Sequence, residues 1–584
     1  MPATNDEVAR LLSELATLTE IEEGDPNSFR VRAYQNAARA VETLSQDVGG
    51  MSASQLAAQR GIGKSTATKI RQFVDERKID KLEELRAKYP PGQRELLRIP
   101  GIGPKTLTLL KEVLRVEDLA GLREAIQSGR LAELPGLGEK TAENLKDAIE
   151  RMHLQSKTHR RPIREVLPVA EQLVADLESL DAVERATYAG SLRRFRDTIG
   201  DVDILVSTTD PAPAMDLLTG HDLAHDVIGR GPTKCSIVTH DGLQVDLRAI
   251  APESFGAALV YFTGSKAHNI VLRQRAIERG WKLSEYDLAD AETGGRVAGA
   301  TEDDVYDALG MDWVTPELRE DSGEIALADR GVDDHRLPEL VEVGQLRGDL
   351  HDHSTWSGDG RSTMEDMVAA AAGSGYAYFA MTDHAEDLRI NGINRAGMLE
   401  QRKQLRALQE KYPDMRLLHG SELNIGIDGS VDYDADFLAG FDWCVASVHS
   451  HFRRPPDQQT TRLVTAMRNP SVHAIGHLSG RKIGTRPGIE FDLDVVLDMA
   501  IETGTAIEIN SDLNRLDATV EVIREGARRG VTFVISTDAH MVKELDNVRN
   551  GVRQARRGGL PPEQVANTWD LDRFLAWIQQ QRSA

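Results

Sequence analysis

The C-terminal part of the chain, about residues 345–584, carries nine candidate metal ligands at the ends of short apolar runs. Three of these runs, 378–381, 444–447 and 533–536, have the composition of buried strands. A polar ligand after each strand is how a β/α barrel builds a site on its carboxyl-terminal face. Imidazole and carboxylate groups suit zinc or manganese, and a bound metal can supply a hydroxide nucleophile near neutral pH. The candidates are His351, His353, Asp359, His384, Glu422, His449, His477, Asp538 and His540. The pattern predicts a metal-dependent hydrolase of phosphate esters.

A single histidine after a strand is more often a core or surface residue than a ligand. Six separate ligand-bearing segments in one region are hard to obtain by chance, which favours the metal site. His451 lies two residues beyond His449 and is the residue most easily confused with a ligand.

The middle of the chain contains a second set of acidic residues. Asp201 and Asp203 alternate along a predicted strand at 200–206, so both carboxylates face the same side. Asp246 lies in another strand-like segment, 243–247. Three carboxylates in one cleft repel one another unless hard cations lie between them, and Mg²⁺ binds in this way together with substrate phosphates. Two such ions can stabilise both the attacking and the leaving oxygen of an in-line displacement.

Residues just before these aspartates suit a phosphorylated substrate. Gly190 and Ser191 would let backbone and hydroxyl groups reach a triphosphate, and Arg194 would neutralise its charge. The combination indicates a nucleotidyltransferase, although ordinary acidic strands and turns can imitate this part alone.

A glycine-containing segment recurs three times in the first 150 residues, at intervals of about 40 and 35 residues. Each copy lies between helix-like segments, so its backbone N–H groups would point outward at a helix start and bind an anion. A phosphate of the DNA backbone is the natural partner. A P-loop would need glycine where Ala58 stands, and a glycine that only ends a helix accounts poorly for three copies. The residues concerned are Gly61, Gly63 and Lys64; Gly101, Gly103 and Lys105; and Gly136, Gly138 and Lys140.

Composition is that of a multidomain globular protein. At 584 residues the chain is too long for one core. Cys235 and Cys444 provide no disulfide framework, so a reducing cytoplasm is expected. The N-terminus lacks signal-peptide features, and no apolar run reaches the length of a membrane span. The net charge is −23, but residues 26–160 are net basic, as expected for local nucleic-acid contacts. Residues 301–340 are strongly acidic, which indicates an interdomain linker.

Residues that follow the aspartates make the pattern specific. Together with 190–194, 200–203 and Asp246, they resemble DNA polymerase family X over about residues 1–318. The histidine-rich set resembles the PHP family (polymerase and histidinol phosphatase) over about residues 345–584. The order of the two parts resembles that of bacterial or archaeal repair polymerases. The additional residues are Tyr261, Phe262, Gly264, Ser265, Asn269, Arg273 and 284–286.

The polymerase resemblance implies that Asp201, Asp203 and Asp246 bind two Mg²⁺ or Mn²⁺ ions. Asp246 would also take or orient the proton of the primer hydroxyl. The implied contacts to the deoxynucleoside triphosphate and the nascent base pair come from Arg161, Gly190, Ser191, Arg194, Gly200, Tyr261, Phe262, Gly264, Asn269 and Arg273. Tyr261 and Phe262 would line the sugar.

The PHP resemblance implies up to three Zn²⁺ or Mn²⁺ ions. Glu422 would bridge the first two. The implied groups are His351, His353, Glu422 and Asp538; Glu422, His449 and His477; and Asp359, His384 and His540.

The two resemblances together imply a multidomain fold. All-α helix-hairpin-helix domains would precede an α/β nucleotidyltransferase palm and thumb, and a distorted β/α barrel, TIM-like in its topology, would follow. The expected boundaries are 1–90 for the helical N-terminal domain, 91–155 for the helix-hairpin-helix domain, 156–255 for the palm, 256–318 for the thumb, 319–344 for the acidic linker and 345–584 for the barrel.

The expected function is that of a monomeric DNA polymerase that fills short gaps in base excision repair, with a 3′-to-5′ exonuclease in the barrel. A nuclease with a polymerase-like DNA-binding scaffold, or a polymerase with a purely structural barrel, are the alternatives. Lys69 is a candidate Schiff-base residue of a 5′-deoxyribose phosphate lyase. Phe29 stands where a histidine is usual, so simple phosphate contact by Lys69 is the favoured interpretation.

Overall fold

The computed structural model describes residues 5–23, 28–42, 48–59, 61–90, 96, 99, 102, 104–133, 138, 145, 160–333, 336–388 and 390–583. The chain divides into two compact units, Met1–Ser156 and Lys157–Ala584. Within the described residues, no helix combines the length and apolar character that crossing a bilayer requires.

The described part of the first unit is helical. Its helices are α1 (Asn5–Glu23), α2 (Phe29–Glu42), α3 (Ala53–Ala57), α4 (Lys64–Glu76), α5 (Asp80–Lys88), α6 (Pro104–Leu114) and α7 (Leu119–Gln127). Local signals set several starts: Ser52 and Gln55 form a capping box before α3, and the Asp118 side chain caps α7. Apolar residues of α1, α2, α4 and α5 share one core. The predicted all-α character of this region is confirmed.

The palm is a five-stranded sheet with helices packed against it. Its strands are β1 (Arg161–Pro162), β2 (Arg185–Tyr188), β3 (Thr198–Ile199), β4 (Val202–Ser207), β5 (Ala224–Arg230), β6 (Lys234–Thr239) and β7 (Gln244–Ile250), and its helices are α8 (Ile163–Glu178), α9 (Gly190–Arg193) and α10 (Ala212–Thr219). The sheet order is β2-β4-β7-β6-β5, with β1 and β3 paired separately. The central strands β4 and β7 run parallel and are rich in buried Val, Ile and Leu, as strands covered on both faces should be.

The thumb follows the palm directly. It comprises α11 (Phe255–Thr263), α12 (Lys266–Glu278), β8 (Trp281–Leu283), β9 (Leu288–Asp290), β10 (Arg296–Ala298), α13 (Glu302–Ala308) and α14 (Glu324–Ala328). The three strands form an antiparallel sheet of order β10-β9-β8.

Part of the predicted acidic linker, 319–344, is folded into the thumb. Arg319 is fully buried, and Ala328 belongs to the thumb core. Asp329 forms a bridge with Met311 and an ion pair with Arg275. The acidic side chains of this stretch therefore serve local pairing, and the thumb extends at least to residue 329.

The C-terminal part is a parallel barrel whose strands follow chain order. Its strands are β11 (Gly348–Asp349), β12 (Tyr378–Met381), β13 (Arg416–Asn424), β14 (Trp443–Ser447), β15 (Ala474–Gly476), β16 (Ala506–Asn510) and β17 (Phe533–Ser536). Its helices are α15 (Met364–Gly373), α16 (Arg395–Gln409), α17 (Ala435–Leu438), α18 (Pro456–Met467), α19 (Leu493–Thr503), α20 (Val520–Arg529), α21 (Val548–Arg557) and α22 (Leu571–Ser583). A bridge between Asp352 and Ala539 joins the ends of β11 and β17, so the sheet is nearly closed. The predicted barrel is confirmed.

Palm and barrel share a core within the second unit. Ile483 and Leu516 of the barrel lie in the same buried cluster as the palm strands. Asp197, next to β3, forms ion pairs of 2.8 Å with Arg481 and 2.9 Å with Arg557. These buried contacts hold the two parts together as one compact body.

Candidate metal centre and nucleotide site

The predicted barrel ligands stand at the carboxyl ends of the strands. His351 and His353 follow β11, and Asp359 lies in the same loop. Glu422 belongs to the end of β13, and a bridge aligns it with His384 after β12. The remaining ligands follow β14, β15 and β17, and are His449, His477, Asp538 and His540. Because all parallel strands end at one face, the nine side chains meet there.

Glu422 lies at the centre of this cluster and is almost fully buried. Its Oε1 is 3.0 Å from His477 Nε2 and 3.1 Å from His449 Nε2. The same oxygen is 3.4 Å from His351 Nε2, and Oε2 is 2.7 Å from His384 Nδ1. A carboxylate shared among four imidazoles has the geometry of a group that can bridge two cations.

Two further carboxylates complete the cluster. Asp538 Oδ1 lies 3.2 Å from His353 Nε2 and 3.7 Å from His351 Nε2. Asp359 Oδ2 lies 3.3 Å from His384 Nε2 and 3.5 Å from His540 Nε2. Donor atoms that lie within 4.8 Å of one another form the groups His353, His384 and His540; His351, His353 and Asp538; and His384, Glu422 and His449.

Neighbouring groups fix the orientation of the imidazoles. Glu508 Oε1 is 2.6 Å from His351 Nδ1, which turns Nε2 of that ring toward the cluster. Asn424 Oδ1 is 2.7 Å from His449 Nδ1 with the same result. Such second contacts set the tautomer and raise ligand basicity. Glu508 and Asn424 could not be identified from the sequence, since single residues inside strands carry no spacing signal.

The electrostatics of the cluster favour cations. Burial lowers the pKa of His384, but Glu422 and Asp359 together raise it to about 10. Burial and the neighbouring His384 and His540 lower the pKa of His353 to about 3. Within the described residues, the buried atoms His351 Nε2, His353 Nε2 and Glu422 Oε2 have no hydrogen-bond partner. Buried polar atoms of this kind need partners, so the donor set fits divalent metal ions.

Two ligands have a strained backbone. His477 has φ of 29° and Asp538 has φ of 55°, the left-handed region that residues with a side chain rarely adopt. The surrounding strands impose these conformations: the Asp538 N–H donates to the His351 carbonyl at 2.9 Å. Strain of this kind is characteristic of functional sites.

Arg515 is a cation beside the cluster that the sequence analysis did not identify. Its Nε is 3.6 Å from Asp538 Oδ2, and its side chain is only 14% exposed. Its Nη1 is buried and has no hydrogen-bond partner among the described residues. His451, by contrast, is exposed and lies outside the donor groups found there.

The palm sheet brings two of the predicted catalytic aspartates side by side. Asp203 on β4 pairs with Asp246 on β7 in the parallel register. Asp201 lies two residues earlier, in the loop just before β4. Gln244 donates to both carboxylate oxygens of Asp246 at 3.2 Å. The tight donor groups among the described residues, however, all lie in the barrel.

The absence of a side chain at Gly190 and at Gly264 lets the backbone pass close to Asp203 and Arg194, respectively. Gly190 has φ of +62°, and a Cβ there would lie 3.1 Å from Asp203 Oδ2. Gly264 has φ of +66°, and a Cβ there would lie 3.2 Å from Arg194 Nη1. Arg194 donates to the Thr263 carbonyl and forms a 3.1 Å ion pair with Glu320. Ser191 is partly exposed at the start of α9.

The neighbouring residues Arg160 and Arg161 have different partners in the structure. Arg161, the predicted triphosphate ligand, is paired with Asp241. Arg160 donates to the Thr198 hydroxyl at 2.9 Å and lies 3.7 Å from a Cβ built on Gly200. Burial, together with nearby Arg196, lowers the pKa of Arg160, and Asp201 acts in the opposite direction. Arg160 therefore lies near Gly200, the residue before Asp201, while Arg161 is held by Asp241.

The aromatic pair lies at the end of α11. The Tyr261 and Phe262 rings are 5.0 Å apart, and Arg273 lies 5.0 Å from the Tyr261 ring centroid. Asn269 donates to the Tyr261 carbonyl at 2.7 Å. These contacts order the predicted sugar and base-pair residues into one group.

The first glycine-containing turn is well defined. Gly61 has φ of +97°, and Gly63 is the extended N-cap of α4, whose first residue Lys64 is exposed. Lys69 lies one turn further along and donates to Ser65 Oγ at 3.0 Å. Of the other copies, Gly138 lies among the described residues and the Lys105 backbone is helical. Gly101, Gly103, Gly136 and Lys140 lie outside the described residues.

Comparison with known proteins covers most of the chain. Family models match a helix-hairpin-helix domain over residues 3–79, a SAM-like helix-hairpin-helix tandem over 94–151, a DNA polymerase beta thumb over 258–320 and a PHP domain over 349–512. The chain is thus a nucleotidyltransferase-type polymerase joined to a metal-dependent phosphoesterase-type barrel.

Related proteins place the chain in a family. The DNA polymerase/3′-5′ exonuclease PolX of Bacillus subtilis is 36% identical over 576 residues, 98% of this chain and 99% of the relative. The chain belongs to DNA polymerase family X, in the group that carries a C-terminal PHP domain. Probable phosphatases of Vibrio campbellii and Acetivibrio thermocellus are 29% and 28% identical over 245 and 242 residues, covering 40% of this chain and 93% and 95% of the relatives.

Proposed function

We propose that this chain fills short gaps in DNA during base excision repair, as a monomer of the cytoplasm, and trims 3′ ends in its barrel. Family membership makes it a DNA polymerase with an exonuclease domain. The proposal is supported by two sets of candidate metal ligands in one compact unit. The palm provides aligned carboxylates on β4 and β7, and the barrel provides the nine-ligand cluster.

In the palm, Asp201, Asp203 and Asp246 would hold two Mg²⁺ or Mn²⁺ ions. When bound, such ions neutralise charge on the reacting phosphates. Asp246 would orient the primer 3′-hydroxyl, whose oxygen attacks the α-phosphorus while pyrophosphate leaves. Catalysis of this kind consists mainly of positioning and charge neutralisation.

The triphosphate would lie near the start of α9. Ser191 and Arg194 would contact its oxygens, and Gly190 lets the chain approach closely. We assign the third contact to Arg160 in place of the Arg161 of the sequence prediction, because Arg161 is held by Asp241. Arg194 would exchange its Glu320 partner for the substrate.

In the barrel, the nine side chains would hold up to three Zn²⁺ or Mn²⁺ ions, which activate water for attack on a phosphodiester when bound. Arg515 lies where it could neutralise the substrate phosphate, since it is next to Asp538 and has an unpaired buried nitrogen. Glu508 and Asn424 would keep the imidazoles in their ligating orientation.

The N-terminal unit would bind the DNA backbone. Gly63 and Lys64 at the start of α4 present N–H groups and a cation to a phosphate. Lys69 donates to the Ser65 hydroxyl. Its proposed role is a further contact to a DNA phosphate and not that of a lyase nucleophile.

The test uses gapped DNA with a labelled primer, incubated with Mg²⁺ or Mn²⁺, with and without deoxynucleoside triphosphates. Asp203→Ala should abolish primer extension and leave shortening intact, because it removes a palm carboxylate only. His353→Ala should abolish shortening and leave extension intact. Asp210→Ala, an exposed palm aspartate, is the matched control for a lost carboxylate.

The two-site assignment would be refuted if either substitution silenced both growth and shortening of the primer. Persistent extension by Asp203→Ala would refute the palm assignment alone, and persistent shortening by His353→Ala the barrel assignment alone.

A further inference from the structure

A basic cavity lies at the junction of palm and barrel. Its volume is about 790 Å³. The palm contributes the segment Arg196–Thr198, and the barrel contributes the loop 481–488 and Arg557. A second cavity of about 690 Å³ shares Arg196 and Arg557 with the first. Volumes of this size suit a nucleotide or a short stretch of a DNA strand.

The lining is strongly cationic. Arg196, Arg481, Lys482, Arg486 and Arg557 face two carboxylates, Asp197 and Glu521. Asp197 is already neutralised by its ion pairs with Arg481 and Arg557. Burial, with additional repulsion from Arg515 and Arg486, lowers the pKa of Lys482, as expected where cations are crowded.

One buried cation at this junction has an N–H group without an acceptor. Arg557 is only 5% exposed, and its Nε has no hydrogen-bond partner among the described residues. A buried guanidinium N–H without a partner is costly. An anion in the cavity would supply the missing acceptor, since guanidinium groups bind phosphate oxygens through parallel hydrogen bonds.

Residues that line the cavity contact neighbours of each predicted centre. On the palm side, Arg196 is 3.5 Å from Glu320, the carboxylate that also binds Arg194. On the barrel side, Arg481 Nε donates to the carbonyl of Arg515, the cation beside Asp538. The lining residues are thus linked through one intervening residue to Arg194 on the palm side and to Asp538 on the barrel side.

We propose that this junction cavity binds phosphate groups, either those of a primer strand passing from palm to barrel or those of a free nucleotide or pyrophosphate. The proposal rests on the proposed function in that DNA and nucleotides are the substrates. Binding without catalysis can nevertheless be measured separately.

The test is binding to the full-length protein in chelator, where no chemistry occurs. The probes are a fluorescent single-stranded oligothymidylate and inorganic pyrophosphate, and the variants are Lys482→Ala and Lys482→Arg. Lys482 is exposed, so its replacement should not disturb folding. Lys403→Ala on α16 is the control, because Lys403 is an exposed lysine outside the cavity.

Lys482→Ala should weaken binding about tenfold, the effect of one lost charged hydrogen bond. The slope of log affinity against log salt for the oligonucleotide should fall by about 0.7, one phosphate contact on a single strand. Lys482→Arg and Lys403→Ala should bind like the wild type. Loss confined to the oligonucleotide identifies a strand as the ligand, and loss confined to pyrophosphate identifies a free phosphorylated ligand.

Unchanged binding of both probes by Lys482→Ala would overturn the proposal, as would equal loss in Lys482→Arg, because charge would then not be the cause. Neither result would affect the proposed function, which stands or falls with Asp203→Ala and His353→Ala in the gapped-DNA assay.

Discussion

Glu302 connects palm and thumb through a buried ionic cluster. Its carboxylate accepts from Arg193 of α9 at 2.8 Å and from Arg319 of the thumb at 2.7 Å. Arg319 is fully buried. Although burial raises the pKa of Glu302, the two arginines lower it from 4.5 to about 2. The carboxylate is thus held in its charged form.

Replacing Glu302 with Gln should cost roughly 3 kcal/mol of thumb stability at pH 7, since each pKa unit corresponds to about 1.4 kcal/mol. The side chain is 6% exposed, so little screening reduces this value. The folded pKa is depressed, so the stabilisation is fully present above pH 4.5 and is lost as the pH falls toward 2. The wild-type advantage over Glu302→Gln should shrink over that window.

Hydrogen exchange of amides in residues 302–319 measures the local free energy of opening at pH 7, and urea unfolding from pH 7 to pH 3 measures the pH dependence. Nucleotide addition should also weaken, because Arg193 adjoins Arg194, while trimming by the barrel should not change. An advantage below about 1 kcal/mol, or one that persists unchanged at pH 3, would refute the reasoning.

Two further substitutions test individual assignments. Glu508→Gln should release His351 and so lower both the metal content of the barrel and primer shortening about 10–100-fold, with primer extension unchanged. Metal analysis and the gapped-DNA assay measure these effects, and a normal metal content would contradict the prediction. Arg160→Ala should raise the KM for deoxynucleoside triphosphates about tenfold, the effect of losing one charged contact, while Arg161→Ala should raise the KM less. Steady-state kinetics measure both values. A larger rise in KM for Arg161→Ala than for Arg160→Ala would favour Arg161 as the triphosphate ligand.

The ligand set of the barrel could be predicted because its geometry is repetitive. Each ligand follows an apolar strand, and parallel strands deliver their ends to one face. The pairing of Asp203 with Asp246 follows from the parallel register of β4 and β7, which brings together residues that the sequence places more than 40 positions apart. In both cases a local sequence pattern determines which side chains, distant in the sequence, lie close together in the fold.

Residues that support the site from other strands carry no comparable pattern. Glu508 is a single acidic residue within β16, and only the fold shows that it contacts His351. Arg515 is one of many surface-type arginines until its loop is placed beside Asp538. Arg160 and Arg161 are adjacent, and the sequence does not distinguish which of them lies nearer the nucleotide site. In the structure Arg161 pairs with Asp241, whereas Arg160 lies beside Gly200.

Composition predicted a linker at 319–344, although part of that stretch packs against the thumb, because composition does not distinguish solvated from paired charge. Acidic residues between 301 and 340 include Glu302 and Asp329, whose partners Arg319 and Arg275 come from elsewhere in the thumb. With that stretch folded and with Ile483 and Leu516 buried in the palm core, palm and barrel are fixed by packing and not tethered by a flexible chain. A primer end that leaves one centre for the other must then cross a fixed distance over the protein surface. The cationic junction around Lys482 and Arg557 adjoins the buried contact between palm and barrel. If the ligand of the junction is a primer strand, its charge should matter more for strand transfer than for either reaction by itself.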